Sequence, residues 1–408
     1  MTRSPLAPAA FPDLPAVAGV HLATACSGMR YAGRDDLLLA AFATGTVAAG
    51  VFTTNAVVGH PVTWCRARIG AGKARALVVN AGNANVFNGA AGDDAVAAMA
   101  KAAADALQCP TDEVFVASTG VIGMPLDAEP LAGCLQRMAG VLAPGGVERA
   151  AAAIMTTDTF AKGAGAQVVI DGVPVTLVGI AKGSGMIAPN MATMLAYLFT
   201  DARIAPDLLD ELLRRAVDRS FHSITVDGDT STSDMVMAFA SGAAGHPPLT
   251  SAADPSAPAF ADALEAVCAD LARQVVRDGE GAGKFITIRI DGARDDASAR
   301  LIGLAVGNSP LVKTAIAGED ANWGRIAMAV GKSGQPVDVA ALRIAFGGHV
   351  VAANGAVVPG LDEAPIAEHL RGQAIEIAVT VGAGPGQAVI WTCDLTHGYI
   401  DINADYRS

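Results

Sequence analysis

The sequence predicts an α+β fold, and three observations predict it. Apolar residues recur at helical spacing in several segments and at strand spacing in others. Paired strand patterns flank short turn signals, as antiparallel hairpins do. Helical stretches are interspersed without the strict strand–helix alternation of a doubly wound parallel sheet. The 408 residues suit two or three domains of ordinary size, or one large two-domain body. Apolar residues make up 52% and charged residues 17%, which excludes disorder because apolar burial can offset the ordering entropy. Aromatics are only 5%, so Ala, Val, Ile and Leu fill most of the core.

The N-terminus carries Pro5, Pro8, Pro12 and Pro15 and has no uninterrupted apolar run, so no signal peptide is expected. Leu37 to Cys65 has no Asp, Glu, Lys or Arg. Its threonines, Asn55, His60 and three glycines point to buried strands and a turn rather than a membrane helix. Asp93 is placed to cap a helix with the face Val96, Met99, Ala103 and Leu107. Leu131, Leu135 and Met138 repeat that pattern. Gln167 to Ile170 and Val173 to Ile180 flank Asp171-Gly172, a hairpin turn pair. Pro206 suits a first helical turn before Leu208, Leu209, Leu212, Leu213, Ala216 and Val217. Ser241 to Pro258 reads as a linker or a surface loop. Phe260, Leu264, Val267, Leu271 and Val275 form another helical face. Phe285 to Ile290 alternates as a strand. Ile375 to Val381 and Ala388 to Cys393 flank GAGPG, which predicts a second hairpin.

Net charge is -12, with 28 basic against 40 acidic residues, and this argues against nucleic-acid and anionic-membrane partners. The six cysteines show no CxxC or CxxH spacing and are too sparse for a disulfide framework, so reduced thiols in a cytoplasmic protein are expected. Gly183, Gly185 and Ala188 match a dinucleotide fingerprint in outline, but Pro189 and Asn190 follow at once. Gly281, Gly283 and Lys284 resemble the end of a P-loop, but Asp278 and Phe285 replace its first glycine and its hydroxyl residue. Neither motif is accepted. Asp227, Asp229 and Asp234 lack a calcium-loop pattern and read as turn and capping residues. The seven histidines are dispersed, and no metal site is expected.

The segment that carries chemistry is KGSGMIAPNMATMLAYL, Lys182 to Leu198. It is uncharged after Lys182 and holds one threonine, Thr193. Gly183, Gly185 and Pro189 favour an irregular backbone before it, and Ala192 leaves the Ala192-Thr193 peptide open to attack. A threonine hydroxyl is a poor nucleophile at its free pKa. Making the threonine N-terminal solves this, because its own α-amino group, with pKa near ~7.7, serves as the base.

KGSGMIAPNMATML, VASTGVIG, MTTDTFAK, SITVDGDTSTSD, RDGEGAGKF, LVKTAIAGEDANWGRI and NADYRS occur in the order characteristic of ornithine acetyltransferases, the glutamate N-acetyltransferases of arginine biosynthesis. Over essentially its whole length the chain resembles that family. It departs from the family's usual runs at Gly59-His60, Ala81, Val86 to Asn88, His222 and Gly283.

The resemblance implies a four-layer αββα sandwich with a smaller second α/β domain. It implies self-cleavage between Ala192 and Thr193, giving an α chain of residues 1–192 and a β chain of residues 193–408. Thr193 then takes the acetyl group of N2-acetylornithine and passes it to glutamate in a ping-pong reaction. Thr119 and Gly120 supply the oxyanion hole. Lys182, Glu280, Asn403 and Ser408 contact substrate, together with Thr156 or Thr157. No cofactor is implied, and acetyl-CoA is a candidate second donor. The implied assembly is a heterotetramer of two α and two β chains. The other enzymatic reading is an N-terminal-nucleophile amidase or aminopeptidase of related fold, which releases the acyl group to water.

Overall fold

Asp171 and Gly172 both take positive φ, 49° and 81°, as a tight two-residue hairpin turn demands. They join two long strands in a computed structural model that describes residues 2–188 and 194–404. Ala192, Thr193 and Ser408 lie outside the described residues.

In chain order the first strands are β1 (Val20–Ala25), β2 (Leu37–Phe42), β3 (Val47–Phe52), β4 (Ala76–Asn83) and β5 (Val114–Val121). Then come β6 (Lys162–Ile170), β7 (Val173–Lys182), β8 (Leu195–Thr200), β9 (Met235–Ala240) and β10 (Phe285–Ala293). The last are β11 (Arg343–Phe346), β12 (His349–Ala353), β13 (Ala356–Val357), β14 (Ala374–Thr380) and β15 (Gly386–Cys393). The helices are α1 (His60–Ile69), α2 (Ala90–Leu107), α3 (Glu129–Ala139), α4 (Val147–Ala153), α5 (Pro206–Asp218) and α6 (Ala257–Arg277). They continue with α7 (Asp296–Gly307), α8 (Pro310–Ala317), α9 (Trp323–Gly331), α10 (Ala364–Arg371) and α11 (His397–Ala404).

Three sheets result, ordered β1-β2-β4-β5, β3-β9-β8-β7-β6 and β13-β12-β11-β14-β10-β15. Parallel and antiparallel pairs occur in each, as an α+β fold allows. One face of the first sheet shares a core with α2 and α3, through Leu37, Leu39, Val96, Met99, Leu131 and Leu135. Its other face meets the second sheet around Leu38, Phe115, Tyr197, Phe199 and Phe239. The far face of the second sheet packs on the predicted apolar faces of α5 and α6. Pro206 begins α5 as expected. The third sheet has its own core with α7 to α10. Leu37 to Cys65 forms strand, turn, strand and helix start, with β2 and β3 largely buried in different sheets and the turn at Thr44-Gly45 and Val57 exposed. All six cysteines are unpaired. No helix among the described residues is long and apolar enough to cross a membrane.

Two expectations are corrected. Asp93 does not cap α2. Gly89 stands at the cap position with φ 58°, and the Asp93 carboxylate in the first turn meets His60 Nδ1 at 2.7 Å. The GAGPG segment does not make a hairpin, because β10 lies between the two strands it joins, parallel to β14 and antiparallel to β15. Strand β10 is distant in sequence and satisfies the edges of both. Gly292, at φ 78°, lets the connection pass, since a β-carbon there would strike the Gly382 backbone. Residues 241–256 link β9 to α6 within one core, so that stretch is a loop and not a domain boundary.

Candidate active site

The glycine-rich ends of β4 and β5 make the first wall of a cleft. Gly82 faces Gly120 across the parallel pair, with φ 104° and 134°. A β-carbon on Gly120 would run into the Gly82 backbone, so the approach requires glycine. Ser118 Oγ donates to Asn80 Oδ1 at 2.6 Å, and Asn80 Nδ2 donates to the Asn83 carbonyl at 3.0 Å. These buried bonds fix the strand ends that carry Thr119 and Gly120. Among the described residues, this wall lends the cleft no charged side chain, although the stem of Arg30 packs against Gly82.

The opposite wall is charged. Lys182 ends β7, paired in register with Leu195, and is 2% exposed. Burial pushes its pKa down; Asp158 raises it, Lys162 lowers it, and Asp234 and Glu280 raise it, with a net shift below the usual lysine value. Glu280 follows α6 and accepts a hydrogen bond from Asn403 Nδ2 at 2.7 Å. Its carboxylate fills the space where Gly185 would carry a β-carbon. Glu280 makes no ion pair with Arg277 or Lys284 among the described residues. The Lys284 ammonium goes to the carbonyls of Leu370 and Gly372 and to Glu319. Asn403 rides on α11, which Tyr399 anchors by donating to Asp227 Oδ2 at 3.3 Å. Thr396 Oγ1 donates to the Gly281 carbonyl at 2.6 Å, beside the start of the same helix.

The two walls enclose about 240 Å³. Thr119, Gly120, Thr156, Thr157, Lys182, Glu280 and Asn403 all line this space, from segments far apart in sequence. Both threonines of the Thr156/Thr157 pair line it, so the choice between them stays open. Ala192, Thr193 and Ser408 fall outside the described residues. Met194, the first described residue beyond them, donates its N–H to Asp234 Oδ1 at 2.6 Å. Asp234 is fully buried, and burial pushes its carboxyl well above the usual range. Asp227 accepts from the backbone N–H groups of Met186, Ile187 and Asp229, the turn chemistry expected of it.

Sequence reasoning missed two things here. Ser231, Thr232 and Ser233 add hydroxyl residues to the lining. The run STS inside SITVDGDTSTSD was the available signal. It also missed a buried ion cluster behind the charged wall. Lys162 Nζ lies 2.6 Å from both Asp158 Oδ1 and Asp278 Oδ2, with all three side chains fully buried. Among the described residues no group of three or more His, Cys, Asp or Glu could hold a metal ion.

Chemically, the cleft offers a cation and an anion at close quarters, which suits a small zwitterion, beside a neutral wall of backbone and hydroxyl. That combination marks an enzyme acting on an amino acid or its derivative. The chain belongs to the ArgJ family, whose profile matches residues 21–408. It is 56% identical over 405 residues to the arginine biosynthesis bifunctional protein ArgJ of Zymomonas mobilis, covering 99% of each chain. It is 55% identical over 406 residues to the protein of the same name from Gluconobacter oxydans, covering 99% of this chain and 96% of that one. The crystal structure of the arginine biosynthesis bifunctional protein argJ from Bacillus halodurans matches with 41% identity and a TM-score of 0.50. That match covers 51% of this chain and 97% of the other.

Proposed function

We propose that this cleft moves an acetyl group from N2-acetylornithine to glutamate through an acetyl-enzyme on Thr193. The observation that carries the reading is the convergence of seven expected residues on one small cleft in a member of the ArgJ family. The enzyme is an acetyltransferase of arginine biosynthesis. Residues of the chain suffice for each step, with no cofactor and with acetyl-CoA as a candidate second donor.

The reaction is preceded by self-cleavage. Thr193 Oγ attacks the Ala192 carbonyl, the peptide C–N bond breaks, and water hydrolyses the ester. This frees the Thr193 α-amine and the Ala192 carboxylate. The crystallised Bacillus halodurans polypeptide is about half as long as this chain, the length such a cut leaves. Thr193 Oγ then attacks the acetyl carbonyl of N2-acetylornithine while its α-amine takes the hydroxyl proton. The Thr119 hydroxyl and the Gly120 N–H donate to the tetrahedral oxyanion. The amide C–N bond breaks, and the proton passes to the departing ornithine amine. Glutamate's amine attacks the ester, Thr193 Oγ leaves, and it recovers the proton.

Lys182 pairs with the substrate α-carboxylate, and Glu280, steadied by Asn403, takes the side-chain ammonium of ornithine. Thr156 or Thr157 adds a hydroxyl contact, and Ser408 adds the last at the chain end. The distribution of the cores supports a four-layer αββα order of helices and sheets with the β10 to β15 sheet as a smaller second domain. Residues 1–192 and 193–408 stay in one body, and two of each assemble as a heterotetramer in the cytoplasm.

The test is transfer from acetyl-labelled N2-acetylornithine with and without glutamate. Label in N-acetylglutamate supports the reading. Label released only as acetate, regardless of glutamate, favours the amidase reading instead.

A further inference from the structure

The ion cluster behind the charged wall is joined to the site at every corner. Asp158 Oδ1, besides meeting Lys162, accepts the Gly183 N–H at 2.6 Å, one residue after Lys182. Asp158 Oδ2 accepts the Thr156 N–H at 3.0 Å. Asp278 accepts from the Thr159 hydroxyl at 2.5 Å and from the Thr159 N–H at 2.9 Å. The Asp278 carbonyl takes the Ser184 hydroxyl at 2.6 Å, and the Ser184 carbonyl takes the Glu280 N–H at 3.1 Å. One buried lysine therefore ties together the segments bearing Thr156, Lys182 and Glu280.

The charges are not symmetric. Lys162 faces two carboxylates, of which burial pushes the Asp278 carboxyl up while Asp158, despite its burial, is held below the usual range by two lysines; Lys182 is a second buried cation beside them. Buried ions of this kind persist only when paired and hydrogen-bonded. The Asp158 carboxylate bonds both Lys162 and the Gly183 N–H next to Lys182, whereas the Asp278 carboxylate bonds Lys162 and Thr159 and reaches the Lys182 side only through its own carbonyl and Ser184. Among the described residues, the leading charges at Lys182 are Asp158, Lys162, Asp234 and Glu280.

Resting on the acetyl-transfer reading, we propose that Asp158 is a positioning residue for substrate recognition, whose buried carboxylate holds the Gly183 and Thr156 backbone beside the cleft and balances the charge of buried Lys182. Lys162 limits that effect by sharing the same carboxylate. Asp278 serves as the internal comparison, since its carboxylate belongs to the same cluster but bonds Lys162 and Thr159 rather than the Gly183 N–H.

The signs follow from burial, which already disfavours the Lys182 ammonium. Removing the Asp158 charge makes the ammonium deprotonate at lower pH. Removing the Lys162 charge makes it deprotonate at higher pH. The experiment measures kcat/KM for N2-acetylornithine against pH in the cleaved wild type, Asp158→Asn, Asp278→Asn and Lys162→Gln. The high-pH limb moves to lower pH in Asp158→Asn, to higher pH in Lys162→Gln, and moves less in Asp278→Asn than in Asp158→Asn. In Asp158→Asn, KM at neutral pH rises about tenfold, as for loss of a charge-assisted contact. Equal shifts in Asp158→Asn and Asp278→Asn, or no shift in Asp158→Asn, overturn the proposal. If Asp158→Asn does not fold, Lys162→Gln decides alone, and an unmoved or acid-shifted limb there overturns it. A wild type that transfers no acetyl group sinks the underlying reading instead, so the two failures are distinct.

Discussion

The two walls of the cleft solve different electrostatic problems with different materials. The Thr119-Gly120 wall is neutral, held by glycine contact and by the Ser118-Asn80-Asn83 bonds. The Lys182-Glu280 wall is charged and backed by a buried ion cluster. A substrate that arrives with a carboxylate and an ammonium needs permanent opposite charges. An oxyanion exists only in passing and is best met by fixed neutral donors that do not bind the ground state strongly. On the proposed roles of these residues, ground-state recognition and transition-state stabilisation are separated in space, and kinetics can separate them too.

The largest effect is expected on the neutral wall. Gly120→Ala forces a β-carbon against the Gly82 backbone at a φ of 134° that L side chains rarely adopt. Displacing one oxyanion donor lowers kcat about 10²–10³-fold, with KM for N2-acetylornithine changed little. Steady-state kinetics checks the split, and a dominant rise in KM would erase the distinction between the walls. The charged wall responds the other way. Lys182→Met removes one charge-assisted contact to the substrate, raising KM about 10–100-fold and lowering kcat by less. An equal loss in kcat with unchanged KM would place Lys182 in the reacting chemistry.

Much of this was legible in the sequence, and the exceptions have physical causes. Asp171-Gly172 announced its hairpin because both residues tolerate positive φ and the strands are adjacent in sequence. The GAGPG segment gave the same local signal, yet β10, remote in sequence, takes the place between β14 and β15. Pro206 and the leucines of α5 were readable because helix periodicity is local. The seven expected residues among those lining the cleft were found through resemblance to a family; apart from it, Lys182 reads as a solvated cation and Thr119 as a turn residue. Burial of Lys182 depends on packing that no local pattern encodes. The Asp158-Lys162-Asp278 cluster joins MTTDTFAK to RDGEGAGKF across 116 residues, so neither motif alone reveals it.

The central claim is that an autocatalytically exposed Thr193 carries the acetyl group. Intact mass under denaturing conditions, after incubation with N2-acetylornithine and no glutamate, tests it most directly. The account predicts two fragments divided between Ala192 and Thr193, with a single acetyl adduct on the C-terminal one that disappears when glutamate is added. It also predicts one unmodified full-length chain for Thr193→Ala. A wild type that stays whole, or that carries its adduct on the N-terminal fragment, would contradict it.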